Sequence, residues 1–318
     1  MRALCRAAIG CAWISLCLLA AGAGPAVARH VQSHSMIHLC CTPYEEQTAI
    51  LTAARASGAD IVRLDVELHG IVSPTPYGYG YDFSKLDRLI AFARRMDIRI
   101  LAVLNGTPAG MTACPPGTDA EASWKCPPED PQAYARFAVA VMEHAGEGVL
   151  SWEFWNEPDL SYMYLGTPEQ YGRVLGAISS RARGRFRITN GGVAGLRSGL
   201  PFLRRAIAAG ARFAIGNIHL RGTRLRSRAR EASRFFGRRP LWITEHGYPS
   251  RPDPHAQVRY LTSSIPALRA GGADQIFVTL RDVDEFGPDS PFASEGILGK
   301  PAWDLIRGLN AARPSRPA

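Results

Sequence analysis

The sequence predicts one eight-stranded parallel barrel of the (β/α)8, or TIM, type. Short apolar runs rich in β-branched residues alternate with amphipathic stretches, and each kind occurs eight times. No interior linker or low-complexity run divides the chain, whose 318 residues are 46% hydrophobic and 20% charged. A doubly wound sheet is the alternative fold. That fold calls for a glycine-rich phosphate turn after the first strand, and residues 40–44 read Cys-Cys-Thr-Pro-Tyr instead.

Residues 1–28 have the features of a secretory signal peptide and lie outside the predicted fold. Arg2 and Arg6 form a basic start, residues 7–21 are apolar, and residues 25–28 read Pro-Ala-Val-Ala, which suits a signal peptidase. We expect cleavage after Ala28 and a secreted product, extracellular or periplasmic, without a membrane span. An uncleaved N-terminal anchor is the alternative.

The predicted strands are residues 36–41, 61–66, 98–104, 149–155, 186–190, 213–219, 240–245 and 275–280. Three helix starts carry capping signals: Ser84, Asp130 followed by proline, and a capping box that begins at Thr167. Together these elements form one domain over residues 29–312. The Arg- and Pro-rich tail, residues 313–318, is expected to be disordered.

Four of the seven cysteines remain after the predicted cleavage. Cys114 and Cys126 flank a loop with two prolines and a glycine, where a bridge contributes roughly 3 kcal/mol by chain-entropy reasoning, and we expect that disulfide. Cys40 and Cys41 end the predicted first strand, so their side chains should point to opposite sides. Buried free thiols and a vicinal disulfide both stay open for them. The spacing does not suit a zinc site.

The chain is basic, with 37 Lys and Arg against 28 Asp and Glu, but only three of the basic residues are lysines. An Arg-heavy composition by itself is weak evidence for nucleic acid, and we expect no nucleic-acid partner. Eight arginines crowd one barrel unit, at positions 221, 224, 226, 228, 230, 234, 238 and 239. They indicate either attraction of an anionic glycan or a solvated helix face.

Two predicted strand ends carry polar groups that a barrel core does not need. Residues 152–158, at the end of the fourth strand, read Trp-Glu-Phe-Trp-Asn-Glu-Pro, and residues 244–249, at the end of the seventh, read Thr-Glu-His-Gly-Tyr-Pro. Because active sites of such barrels lie at the carboxyl ends of the strands, Glu157 and Glu245 should face each other across the mouth. Two carboxyls in unlike environments suit acetal cleavage, in which one protonates the leaving group and the other stabilises an oxocarbenium ion.

These motifs resemble those of retaining glycoside hydrolases of clan A, and most closely those of family 39, over nearly the whole chain after residue 28. Residues 152–158 resemble the family's acid/base strand, and residues 244–249 resemble its nucleophile strand. Arg63, in Arg-Leu-Asp, is similar to the arginine that supports the nucleophile. Glu-Gly-Ile-Leu at 295–298, followed by Lys-Pro-Ala-Trp, resembles the end of the eighth barrel unit.

The resemblance implies a role for each matched residue. Glu245 corresponds to the nucleophile, Glu157 to the general acid/base, and Asn156 to the residue that hydrogen-bonds the sugar 2-hydroxyl. Two departures bear on the substrate. His246 stands where relatives often have an aromatic residue, and the eighth strand ends Thr-Leu-Arg-Asp without the tryptophan that many clan members place under the sugar.

Five other residues have both a functional and a structural interpretation. Glu153 could compete as the acid, but a glutamate lower in the strand more often forms a buried ion pair, and Arg63 could merely complete such a pair. His219, at the end of the sixth predicted strand, either orients a catalytic glutamate or is a core histidine. Trp155 and Tyr248 are candidate sugar-stacking residues or packing residues.

The sequence therefore predicts a secreted retaining glycosidase that acts on a polysaccharide or oligosaccharide. We expect no cofactor, no metal and a monomer. The expected partner is a glycan, and the crowded arginines would attract it if it were anionic. A barrel with short loops would favour endo cleavage. The alternative is a carbohydrate-binding barrel without activity. An esterase is disfavoured because the Gly-x-Ser-x-Gly elbow is absent.

Overall fold

The structure, a computed structural model, describes residues 30–283, 287 and 289–312, and it confirms the parallel barrel. The predicted signal peptide and the predicted tail lie outside the described residues. Eight strands form the barrel: β1 (Val31–His38), β2 (Ile61–Glu67), β5 (Arg99–Asn105), β6 (Val149–Asn156), β7 (Ile188–Gly192), β8 (Gly216–Asn217), β9 (Leu241–His246) and β10 (Ala273–Thr279). Two further strands, β3 (Val72–Thr75) and β4 (Gly78–Tyr81), pair as an antiparallel hairpin.

The barrel strands pair in the order β7-β6-β5-β2-β1-β10-β9-β8, all parallel. Parallel bridges from Thr189 to Ile215 and from Val193 to Ile218 join the two ends of this sheet. The ring is therefore nearly closed, and its strands all end at one face. The predicted fourth and seventh strands are β6 and β9.

Helices connect the strands and surround the barrel. They are α1 (Tyr44–Ala56), α2 (Leu68–Ile71), α3 (Ser84–Arg95), α4 (Pro131–Ala145), α5 (Pro168–Ala182), α6 (Leu196–Ala208), α7 (Leu225–Phe236), α8 (Pro254–Ala270) and α9 (Pro301–Ala311). Asp130 caps α4, and the Thr167 capping box is present. The Ser84 cap is wrong, because Ser84 is the first helical residue and its N–H donates to Asp82. No helix among the described residues is long and apolar enough to cross a membrane.

Two apolar layers stabilise the barrel. The larger fills the space between strands and helices, and it includes Leu64, Tyr171 and Ile306. A second layer closes the bottom of the barrel interior, with Ile61, Leu101, Ile215, Trp242 and Phe277 as its members. On β2 the side chains two and four positions after Ile61 are Arg63 and Asp65, so the interior turns from apolar to charged towards the mouth.

The first strand starts five residues earlier than the sequence predicted and ends three residues earlier. It runs over Val31–His38, whereas residues 39–42 form a turn. Polar residues such as Ser33 and His34 hid it, and His34 lies beside Arg63 and Glu245 in the charged upper layer of the barrel. Cys40 and Cys41 are consequently in the turn rather than at a strand end, and they form the vicinal disulfide. The Cys114–Cys126 disulfide is confirmed.

Short loops were a wrong expectation. Between β2 and α3 the chain forms α2 and the β3–β4 hairpin, and residues 106–130 between β5 and α4 form a long segment that the Cys114–Cys126 disulfide closes. Both segments follow the carboxyl ends of their strands, so both lie on the side of the predicted site. Material to enclose a substrate is therefore present on this side of the mouth.

Candidate active site

Glu245, near the end of β9, is almost completely enclosed by nitrogen donors. Its Oε1 accepts from Nη1 of Arg63 at 2.9 Å, and its Oε2 accepts from Nη2 of Arg221 at 3.1 Å. Two histidines lie farther away: Nδ1 of His219 is 3.5 Å from Oε2, and Nε2 of His34 is 3.8 Å from Oε1. Each carboxylate oxygen therefore has an arginine of its own.

These donors decide the charge of Glu245. Burial alone would raise its pKa, but electrostatic interactions with His219, Arg63 and Arg221 more than offset burial and hold the pKa well below its ordinary value. Burial lowers the pKa of His34 to about 3, so this histidine is neutral near pH 7. Glu245 is accordingly an anion across the physiological pH range.

Glu157 follows β6 and has different surroundings. Its Oε1 lies 2.7 Å from Nδ1 of His219, and its side chain is 18% exposed. His219 is itself buried, and its hydrogen bond to Glu157 is the contact that its functional interpretation requires. The backbone here adopts the left-handed region at two non-glycine residues, Trp155 (φ 70°) and Glu157 (φ 43°). Such residues each cost about 1–3 kcal/mol, and they persist only where neighbouring groups hold them.

Gly192, at the end of β7, lies against three residues of the site: Glu153, Glu157 and His219. Its N–H donates to Oε1 of Glu153, and its carbonyl accepts from the N–H of Glu157. A Cβ at this position would lie 2.0 Å from Nε2 of His219. Glycine is required here because the imidazole ring occupies the space that any side chain would need.

Arg63 joins both glutamate strands. Its guanidinium donates to both oxygens of Glu153 at 2.9 and 2.8 Å, and also to Glu245 and to Oδ1 of Asn156 at 2.7 Å. Glu153 is wholly buried in this pair, which agrees with its structural interpretation. Arg63 completes that pair and contacts the predicted nucleophile as well. Because Oδ1 of Asn156 is taken by Arg63, the Nδ2 group remains to donate to a ligand.

The two predicted catalytic carboxyls are close together. One oxygen of Glu157, one oxygen of Glu245 and a ring nitrogen of His219 all lie within 4.8 Å of one another. In glycosidases the carboxyls are about 5–5.5 Å apart in retaining enzymes and about 6.5–9.5 Å apart in inverting ones. The same three side chains are of types that can ligate a metal ion. Both oxygens of Glu245, however, already accept from arginines, and a cation there would face two positive charges.

Sequence reasoning missed three contributors to this site. His34 was hidden by the misplaced first strand. Arg221 was predicted only as one of eight crowded arginines, and Glu295 only as part of a terminal motif. In the structure Nε of Arg221 donates to both oxygens of the buried Glu295, at 2.9 and 3.0 Å. The position of Arg221 just after the predicted sixth strand, at the carboxyl face of the barrel, is all in the sequence that separates it from the other arginines.

The remaining predicted residues lie at the edge of the site or behind it. Trp155 is 1% exposed, donates its indole N–H to the carbonyl of Met163 and packs edge-on against Tyr164, which favours a packing role. Tyr248 is half-buried and stacks on Tyr260 at 4.5 Å. His246 is buried and turned away, between the Leu220 carbonyl and the Ser264 hydroxyl.

A scan against protein-family models and a search of curated proteins find no match. Solved structures do match. A family 39 β-xylosidase from Caulobacter crescentus superposes with a TM-score of 0.73 at 20% identity, over 91% of this chain and 72% of that one. The chain has the fold of the family 39 glycoside hydrolases.

Two further similar structures show how widely this fold is shared. An exo-β-1,4-mannosidase from an Opitutaceae bacterium has a TM-score of 0.65 at 18% identity, and 90% of this chain covers 60% of it. An endo-1,4-β-D-mannanase from Thermotoga petrophila has a TM-score of 0.58 at 16% identity, and 90% of this chain covers all of it. Solved structures of both an exo-acting and an endo-acting enzyme are thus similar to the structure of this chain.

Proposed function

We propose that this protein is a secreted retaining glycoside hydrolase that cleaves O-glycosidic bonds of a polysaccharide or oligosaccharide by double displacement. One observation carries the proposal: carboxyl oxygens of Glu157 and Glu245 lie within 4.8 Å at the mouth of a barrel with the family 39 fold. That spacing leaves a sugar carbon within reach of one glutamate while the other reaches the glycosidic oxygen.

The surroundings of the two glutamates support different roles. Glu245, held as an anion by Arg63 and Arg221, is suited to attack the anomeric carbon and to form a covalent glycosyl-enzyme. Glu157, more exposed and bonded to His219, is suited to protonate the leaving oxygen and afterwards to activate water. Asn156 contributes a donor between them. The proposed steps use only side chains of this chain.

The substrate is proposed at the level of class. The β-xylosidase, mannosidase and mannanase structures support a glycan. The short loops on which endo cleavage was predicted are not present, so loop length no longer favours it. Purified mature protein incubated with bacterial and plant polysaccharides should release oligosaccharides if cleavage is endo and monosaccharides alone if it is exo. Sizing the products by chromatography distinguishes the two.

Replacement of Glu157 by alanine tests the function directly. We expect kcat/KM to fall about 10²- to 10⁴-fold on aryl glycosides with poor leaving groups and far less on dinitrophenyl glycosides, which need no protonation. Azide should restore turnover and give a β-glycosyl azide. A carbohydrate-binding barrel would instead keep its affinity and show no turnover in either form.

The nucleophile has its own chemical test. A 2-deoxy-2-fluoro glycoside with a good leaving group should label Glu245, which peptide mass spectrometry would locate. Stoichiometric labelling at another residue would remove Glu245 from this role. Secretion is tested separately, by determining whether the N-terminus of exported protein begins after Ala28.

A further inference from the structure

The acid/base segment is strained in a way that the catalytic glutamates do not explain. Trp155 and Glu157 both have positive φ, and Asn156 lies between them. Contacts that hold the two flanking residues are already described: the Trp155 indole donates to Met163, and the Glu157 N–H donates to Gly192. Arg63 bonds the side chain of the middle residue, but the contact to its backbone N–H comes from a side chain outside the proposed mechanism.

That side chain is Asn105, the last residue of β5. Its Oδ1 accepts the backbone N–H of Asn156 at 2.9 Å, and its Nδ2 donates to Oδ1 of Asp65 at 2.6 Å. Both Asn105 and Asp65 are buried, at 7% and 5% exposure. An amide matches the two demands, because it offers an acceptor to one neighbour and a donor to the other.

We propose that Asn105, anchored by Asp65, is a positioning residue that holds the strained Asn156–Glu157 backbone so that the Glu157 carboxyl meets the glycosidic oxygen. The inference rests on the proposed function, since it assigns Asn105 to the acid/base step. Without its acceptor the half-buried Asn156 N–H loses its partner, and the strained segment can relax. Glu157 would then move relative to the leaving group, whereas Glu245 keeps both of its arginines.

The first experiment compares Asn105→Ala with the wild type on aryl glycosides of graded leaving-group acidity. We expect kcat/KM to fall about 10- to 100-fold for poor leaving groups and only a few-fold for dinitrophenyl glycosides. Asp65→Asn retains an acceptor for Nδ2 of Asn105, so it should stay close to wild type in this comparison. Asp65→Ala, which removes the acceptor, should show part of the Asn105→Ala defect.

Asn310 provides the matched control. It is 6% exposed and also uses its amide to bond backbone groups, those of Val31 and Ser57, but on α9 rather than at the end of a barrel strand beside Glu157. Asn310→Ala therefore removes a buried amide of the same kind without touching the acid/base segment. The inference would be overturned if Asn105→Ala lowered kcat/KM equally for good and poor leaving groups and Asn310→Ala lowered it to the same extent.

Amide hydrogen exchange tests the same inference without any substrate. Asn105→Ala should speed exchange of the Asn156 amide at least about 10-fold, while Asn310→Ala leaves it unchanged. Failure of the wild type to cleave any glycoside would end the proposed function and the catalytic meaning of Asn105 with it. Unchanged exchange in an active enzyme would refute the positioning role alone.

Discussion

The ends of β6 and β9 present the same residue type in different surroundings. At β9, Glu245 has an arginine on each oxygen and relaxed backbone geometry, and its charge is fixed. At β6, Glu157 has one histidine partner and lies in a strained backbone turn. Two arginines thus hold the Glu245 carboxylate in place electrostatically. The Glu157 carboxyl is positioned by its backbone geometry and by its bond to the imidazole of His219.

This difference suits the two identical side chains to the different roles proposed for them. A nucleophile must stay ionised, and arginine provides this because it does not lose its proton. An acid/base must gain and lose a proton in each cycle, so permanent cations on both of its oxygens would hinder it. The same comparison makes the consequences of single substitutions predictable.

The largest effect is expected from Glu245→Gln, which keeps the shape and removes the charge. We expect kcat to fall about 10⁴- to 10⁶-fold on every substrate, whatever its leaving group. Glu157→Ala, by contrast, should depend strongly on the leaving group. Measuring both variants on the same series of aryl glycosides checks the difference, and parallel losses would show that the two ends are not distinct.

Arg63→Met should have the next largest effect, and mainly on stability. The change leaves Glu153 buried without its cation, which costs about 3–5 kcal/mol in unfolding free energy. Urea unfolding at pH 7 measures it. Arg205 offers a matched control, since it bonds Glu169 with the same two-nitrogen geometry at the surface, and Arg205→Met should change stability little. Equal effects would mean that burial of the Arg63 pair is unimportant.

Arg221→Met should shift the pH dependence of the reaction. The folded protein depresses the pKa of Glu245, so activity is lost only as pH falls through that low value. Removing one of the two arginines raises this pKa, and the acidic limb of kcat/KM should move to higher pH. Arg234→Met, on the exposed face of α7, should leave the limb in place. An unmoved limb in Arg221→Met would show that Arg221 does not hold the pKa of Glu245 down.

The smallest effect concerns the exposed arginines that line a groove between α7 and α8. Arg224, Arg226 and Arg230 belong to the crowded cluster but do not contact either glutamate. Changing all three to glutamine should leave the pH profile unchanged. The one expected effect is on binding to an anionic glycan, whose salt dependence should change a few-fold. A salt profile equal to wild type on such a glycan would leave the solvated helix face as their explanation.

Sequence reasoning located Glu157, Glu245 and His219 because each lies at or just after the end of a predicted strand, and it located Arg63 and Asn156 through the resemblance to family 39. Strand alternation and the chirality of barrel connections bring such positions to one face, so their meeting follows from fold class. The confirmed barrel and the Cys114–Cys126 disulfide were predictable for the same kind of reason, local patterns with few alternatives.

The residues that could not be predicted depend on tertiary contacts. His34 sits in a strand whose polar residues imitate a loop, because the barrel interior at that level is charged. Arg221 and Glu295 are 74 residues apart and pair only through the folded ring. Asn105 has no motif around it, and its role comes from reaching a strained backbone N–H on the neighbouring strand. Long-range partners of this kind leave no periodic signal.

Gly192 has a consequence for any mutational scan of this protein. It donates to Glu153, accepts from Glu157 and yields its side-chain space to His219. Every substitution there adds a Cβ where the ring already lies, so the position should tolerate no other amino acid. A selection for activity would rank this residue, which has no side chain at all, beside the two glutamates.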